Sequence, residues 1–111
     1  MTYLFDIDGT LVKYHTNEWL PGARELLQEV HDAGHRIILI TARNPADDGT
    51  EWSPANAHKL ARELPFEVTL LTAVPSRRVV VDDHEGCGVV HHPQNTPWQG
   101  MADLKKRRQW T

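Results

Sequence analysis

Tyr3-Leu4-Phe5-Asp6-Ile7-Asp8-Gly9-Thr10 is a short apolar, β-rich run that ends in two acids spaced by one residue and then a glycine. Residues i and i+2 of a strand share a face, so Asp6 and Asp8 point the same way while the extended conformation lasts. A second apolar run, residues 36–40 followed by Thr41, has the near-continuous hydrophobicity of a strand covered on both faces. Between the two, Pro21 can open a helix on which Ala23, Leu26, Leu27, Val30 and Ala33 follow helical spacing, with Gly34 where a C-terminal cap belongs. That is a β-α-β unit.

The pattern repeats downstream. Ser53 as N-cap, Pro54 in the first turn and Ala57, Leu60, Ala61 and Leu64 on one face predict a second helix, ended by Pro65. Three further strands are expected at residues 67–71, 78–81 and 88–90, a loop at 93–100 and a short helix at 102–109. Alternating strands and helices predict a three-layer α/β domain with a mostly parallel central sheet, which binds ligands beyond the carboxyl ends of its strands. Asp6, Asp8, Thr41, Asp82 and Asp83 all fall at such ends.

Size and composition narrow the classes. The chain has 111 residues and 40% hydrophobic content, enough for one small domain. Its 15 acids face 12 basic residues, and 4 of the latter sit together at residues 105–108, leaving the remaining 107 with 8 positive and 15 negative charges. No apolar run approaches the ~20 residues of a membrane span, and Met1-Thr2-Tyr3-Leu4 lacks the features of a signal peptide, so a cytoplasmic protein without membrane contact is expected. One cysteine, Cys87, allows no internal disulfide.

Each acid alone is a solvated strand-end residue; four converging carboxylates repel one another unless a cation sits among them, and hard oxygen donors suit Mg²⁺. In order and spacing, Asp6-Ile7-Asp8-Gly9-Thr10, Thr41 and Asp82-Asp83 resemble the three motifs of the haloacid dehalogenase superfamily of phosphotransferases and hydrolases. The resemblance runs from Tyr3 to Asp83 and implies a Rossmann-like fold. It also implies Asp6 as nucleophile, forming an aspartyl-phosphate, and Asp8 as general acid and base. Mg²⁺ would be held by Asp6, by Asp8 through its backbone carbonyl, and by Asp83, with Asp82 behind it. Thr41 would hold the phosphoryl group, with backbone amides near Gly9 and Ala42. An acid at the Asp8 position points to hydrolysis of a phosphate monoester rather than of a carbon–halogen bond.

The resemblance breaks at one place. Small relatives carry Lys-Pro-Ser before the acidic pair; here the segment is Val74-Pro75-Ser76. Arg77, Arg78 or Arg43 could supply the missing charge at the phosphate, with Lys59 a poorer candidate. There is also no room for a cap domain, since residues 11–40 and 42–75 are filled by the expected helices and strands. An uncapped site suits a phosphorylated substrate that is bulky, a nucleic-acid end or a protein, or a small one covered by a neighbouring subunit of a homo-oligomer. Thr41-Ala42-Arg43 and Asp82-Asp83 are also similar to the phosphatase domain of polynucleotide kinase-phosphatases, and the basic run at 105–108 with Trp98 and Trp110 could contact nucleic acid, although such runs are more often solvated helix ends. His84 stands near the acidic pair; adjacent His91 and His92 point to opposite strand faces, and no zinc site is expected.

Two other readings compete. A receiver domain shares the size, acids and Mg²⁺, but its acidic pair comes first and its phosphoacceptor later, the reverse of the order here. A superfamily member that has lost turnover, acting as a phosphate-, metal- or partner-binding module, is favoured by Val74.

Overall fold

In a computed structural model describing residues 1–110, strands β1 (Thr2–Asp6), β2 (Arg36–Ile40) and β3 (Thr69–Leu71) form a parallel sheet in that order. Tyr3 pairs with Ile37 and Asp6 with Ile40, so β1 and β2 end level with each other. The α/β class and the parallel sheet are those expected from the alternating pattern, and no cap is evident among the described residues.

Helix α1 (Ala23–Asp32) buries Ala23, Leu26, Leu27 and Val30, the stripe legible in the sequence, and Gly34 closes it by donating its amide to the His31 carbonyl at 2.9 Å. It starts two residues after Pro21, because Gly22 takes a left-handed conformation (φ 80°) at its N-cap. A Cβ at Gly22 would collide with the Trp98 carbonyl, so the close approach of that loop requires glycine. Helix α2 (Pro54–Arg62) begins as expected: Ser53 Oγ accepts from the Asn56 amide at 3.2 Å and Pro54 occupies the first turn.

Phe5, Ile7, Leu26, Leu27, Val30, Ile37, Leu39, Leu60 and Leu104 meet in one core with Trp98 and Met101. Helix α3 (Met101–Arg107) packs on α1. Burying each large apolar side chain contributes about 1.5–3 kcal/mol, and this cluster is what anchors the ends of β1 and β2.

The later strands differ from expectation. Residues 78–81 form no strand: Val79, Val80 and Val81 are 84, 68 and 92% exposed. Ala73 and Arg77 both adopt left-handed backbone (φ 57° and 65°), turning the chain on either side of Pro75, and the valines reach no pairing edge. β-branched residues favour strands only where a neighbouring strand receives them. Residues 88–90 shorten to β4 (Gly88–Val89), which pairs antiparallel with β5 (Gln109–Trp110) instead of extending the parallel sheet. Consequently α3 stops at Arg107 rather than running on to residue 109.

Candidate active site

The carboxyl ends of β1 and β2 bring Asp6, Asp8 and Thr41 together. The chain turns sharply after Asp8: Gly9 has φ 80° and donates its amide to the Val12 carbonyl at 2.8 Å, while the amides of Thr10, Leu11 and Val12 converge on the Ile7 carbonyl. This knot of backbone bonds fixes the two acids at the rim of the sheet.

Asp6 is partly open, its side chain 35% exposed. Its Oδ2 accepts from the Thr10 hydroxyl at 3.0 Å and its Oδ1 from Arg78 Nη1 at 2.8 Å. Arg78 is steadied by a second bond, from Nη2 to the Val74 carbonyl at 2.9 Å. Val74, standing where the resemblance expects lysine, thus holds, through its backbone carbonyl, an arginine that reaches Asp6 from four residues downstream. Arg77 is exposed.

Asp8 is almost enclosed. Arg43 donates to it from Nη2 at 2.8 Å and Nε at 3.1 Å, and the Thr41 hydroxyl donates at 2.6 Å. The Arg43 side chain is fully buried. Its remaining donors go to Asn17 Oδ1 (2.7 Å) and the carbonyls of Ser53 (3.3 Å) and Thr16 (3.0 Å), so all five N–H groups have acceptors inside the protein. Burial of an ion pair is tolerable only with such complete satisfaction.

This corrects the expectation for Arg43. Arg43 does not face a phosphate; it is committed to Asp8 and to the loops around it. Thr41, fully buried, directs its hydroxyl to Asp8 and accepts from the Arg43 amide at 3.2 Å. The Gly9 amide is likewise engaged, with Val12, while Ala42 lies half-buried between Thr41 and Arg43.

Asp82 and Asp83 are not brought to this cluster. Both are exposed on the irregular segment after Arg78. Asp82 accepts from the His84 amide at 2.9 Å, and that bond holds its carboxyl below the usual carboxylate range. Among the described residues, no group of three or more His, Cys, Asp or Glu side chains is placed to hold a metal ion. Of the four expected ligands, the fold gathers Asp6 and Asp8.

Sequence reasoning overlooked Thr10, although it lies in the opening motif, and Asn17, Thr16 and Ser53, which serve Arg43. Nothing local marks the last three, since two of them act through backbone carbonyls. In the basic run, Arg107 pairs with Asp103 at 3.0 Å and lies 5.2 Å from the Trp98 ring centroid, and Arg108 donates to the Tyr3 hydroxyl at 2.7 Å. Two of its four cations therefore have partners within the chain. No helix of the described residues is long and apolar enough to cross a membrane.

Searches of curated proteins and of solved structures return no match. A family model for haloacid dehalogenase-like hydrolases matches residues 3–82, a span that contains Asp6, Asp8, Thr41, Arg43, Arg78 and Asp82. With most of the chain covered and the first two motifs joined at the ends of β1 and β2, the protein belongs to the haloacid dehalogenase-like hydrolases.

Proposed function

We propose that this hydrolase cleaves phosphate monoesters through an aspartyl-phosphate on Asp6. The observation that carries the reading is the pairing of a half-open Asp6 with Arg78, beside an Asp8 held in a fixed orientation. A carboxylate oxygen of Asp6 attacks phosphorus in line; the bond from phosphorus to the ester oxygen breaks, and Asp8, entering the step with a solvent-derived proton on the Oδ2 that Thr41 vacates, gives that proton to the ester oxygen. Asp8 then takes a proton from water, which attacks phosphorus, releases phosphate and restores Asp6. Arg78 counters charge on the phosphoryl oxygens in both steps.

Thr41 links these roles. Turning its hydroxyl from Asp8 Oδ2 to a phosphoryl oxygen would bind the substrate and free that Asp8 oxygen for proton transfer, so one rotation serves both. Arg43 keeps the other Asp8 oxygen in place meanwhile.

Mg²⁺ is the cofactor of this reading. It is commonly held by one or two carboxylates together with substrate phosphate, a role the hard oxygens of Asp6 and the Asp8 residue suit. When bound, the ion supplies further neutralisation of phosphoryl charge. Asp82 and Asp83 stand outside this donor set, and no step above depends on them.

A second reading, a phosphate- or partner-binding protein without turnover, is favoured by Val74 in place of lysine and by the exposure of Asp82 and Asp83 on an irregular segment. Hydrolysis of p-nitrophenyl phosphate with Mg²⁺, by wild type and by Asp6→Asn, separates the two. Activity in the wild type alone supports the proposal; equal activity in both removes Asp6 as nucleophile, and none in either favours the binding protein.

A further inference from the structure

Three aromatic rings border the Asp8-Gly9 turn. Tyr14 stacks on His15 with ring centroids 4.2 Å apart, and Trp52 approaches His15 at 4.8 Å and Tyr14 at 6.4 Å. Tyr14 is 45% exposed, and its Cδ2 lies 3.6 Å from where a Cβ on Gly9 would stand. The cluster therefore adjoins the catalytic turn and faces solvent.

It is also tied to that turn. The Asn95 amide donates to the Gly9 carbonyl at 2.8 Å, and Asn95 Oδ1 accepts from the Tyr14 amide at 2.7 Å. Asn17, which receives Arg43, donates to the Glu51 carbonyl at 2.8 Å and so joins the loop bearing Tyr14 and His15 to the loop bearing Trp52. Arg43 touches both loops, at Thr16 and Ser53, while holding Asp8.

Three features set this cluster apart from ordinary surface aromatics. His15 is held at φ 62°, a left-handed conformation uncommon for a residue other than glycine. The indole N–H of Trp52 is buried with no hydrogen-bond partner. Large aromatic surface is left partly in water at the mouth of a site whose acids are fixed by the same loops. Flat rings with accessible faces stack on other flat rings, and nucleobases are the common planar group attached to phosphate esters.

We infer that Tyr14, His15 and Trp52 form a stacking subsite for the base of a nucleoside monophosphate whose phosphate is presented to Asp6, an inference that rests on the phosphatase reading above. The Tyr14 and Trp52 rings set the substrate preference, and Arg43 keeps them in register with Asp8.

The test compares kcat/KM for 3′- and 5′-adenosine monophosphate with that for glycerol 3-phosphate, in wild type, Tyr14→Leu, Trp52→Leu and Trp52→Phe, with circular dichroism confirming folding. The nucleotide-to-glycerol ratio should fall about tenfold in each Leu variant for whichever isomer is preferred, and Trp52→Phe should restore most of it. An unchanged ratio in folded Leu variants overturns the subsite. Tryptophan fluorescence of Asp6→Asn, titrated with the same nucleotides, separates binding from chemistry. Quenching that Trp52→Leu abolishes, in a protein whose wild type hydrolyses nothing, sinks the phosphatase reading and upholds the subsite; hydrolysis without nucleotide preference or quenching does the reverse.

Discussion

Arg43 grips Asp8 with Nε and Nη2 at 3.1 and 2.8 Å while the rest of its guanidinium is spread over Asn17, Thr16 and Ser53. The pair is buried, with side-chain exposures of 0 and 6%. An arginine that reads in sequence as a phosphate contact is instead the post on which Asp8 and two loops are mounted.

Removing that post should be costly. Arg43→Ala leaves Asp8 enclosed without its countercharge and orphans three further acceptors, a loss of about 3–5 kcal/mol. That is a large share of the ~5–15 kcal/mol that holds a domain of this size together. Urea unfolding should show a correspondingly lower midpoint at unchanged slope. Arg43→Lys should recover little, because an ammonium cannot reproduce the five-donor fork; a midpoint within error of wild type for Arg43→Lys would contradict the geometry.

Arg78 presents the opposite balance of stability and function. Its pair with Asp6 is about one-third exposed, so Arg78→Ala should change stability by less than about 1 kcal/mol. Loss of a cation at the phosphoryl group should nevertheless reduce kcat for phosphate-ester hydrolysis by about a hundredfold. Arg77→Ala should leave kcat unchanged, since Arg77 points into solvent. Equal rates in wild type and Arg78→Ala would remove Arg78 as the substitute for the missing lysine.

Thr41 offers a finer probe. Thr41→Val keeps the volume but loses the donor to Asp8 and the acceptor for the Arg43 amide, leaving that buried N–H unmatched, a cost of about 1–3 kcal/mol. Thr41→Ser retains the hydroxyl and should keep both stability and most of the activity. If Thr41→Val hydrolyses substrate as fast as Thr41→Ser, the hydroxyl has no part in either substrate binding or release of Asp8.

What could be read from the chain divides along physical lines. The β1 motif, the α1 stripe with Gly34 and the Ser53-Pro54 start of α2 are local signals, each complete within a few residues, and they recur in the fold. Val79, Val80 and Val81 carry equally strong strand propensity, yet a strand is a relationship between two segments and the left-handed turns at Ala73 and Arg77 deny them a partner. Arg43 illustrates the same limit at the site. Its residue type announced a charge, but its direction is set by Thr16, Asn17 and Ser53, whose acceptors come together only after folding. Asp82 and Asp83 match the superfamily pattern in order and spacing, and neither brings a segment to a cluster.

His92 yields a pH dependence whose sign follows from its bonds. Its ring stacks on Trp98 at 3.7 Å; Nε2 donates to the Thr96 carbonyl at 2.8 Å, and Nδ1 accepts from Arg107 Nη1 at 3.3 Å. Both nitrogens are thus used by the neutral ring, and a proton added at Nδ1 would displace the Arg107 bond and face a guanidinium. Burial is the largest cause that lowers its pKa below 6.5, with Arg107 contributing and the Thr96 carbonyl opposing. Because the folded state holds the proton less tightly than the unfolded chain, the unfolded chain binds more protons in the window just below 6.5. The stability contribution of His92 is therefore complete above pH 6.5 and declines as pH falls from that value toward the lowered folded pKa. Thermal unfolding from pH 7.5 to 5 should show a downward slope in this window that is shallower in His92→Gln, a variant that cannot gain the charge. An identical slope in both proteins would show that His92 does not couple to folding.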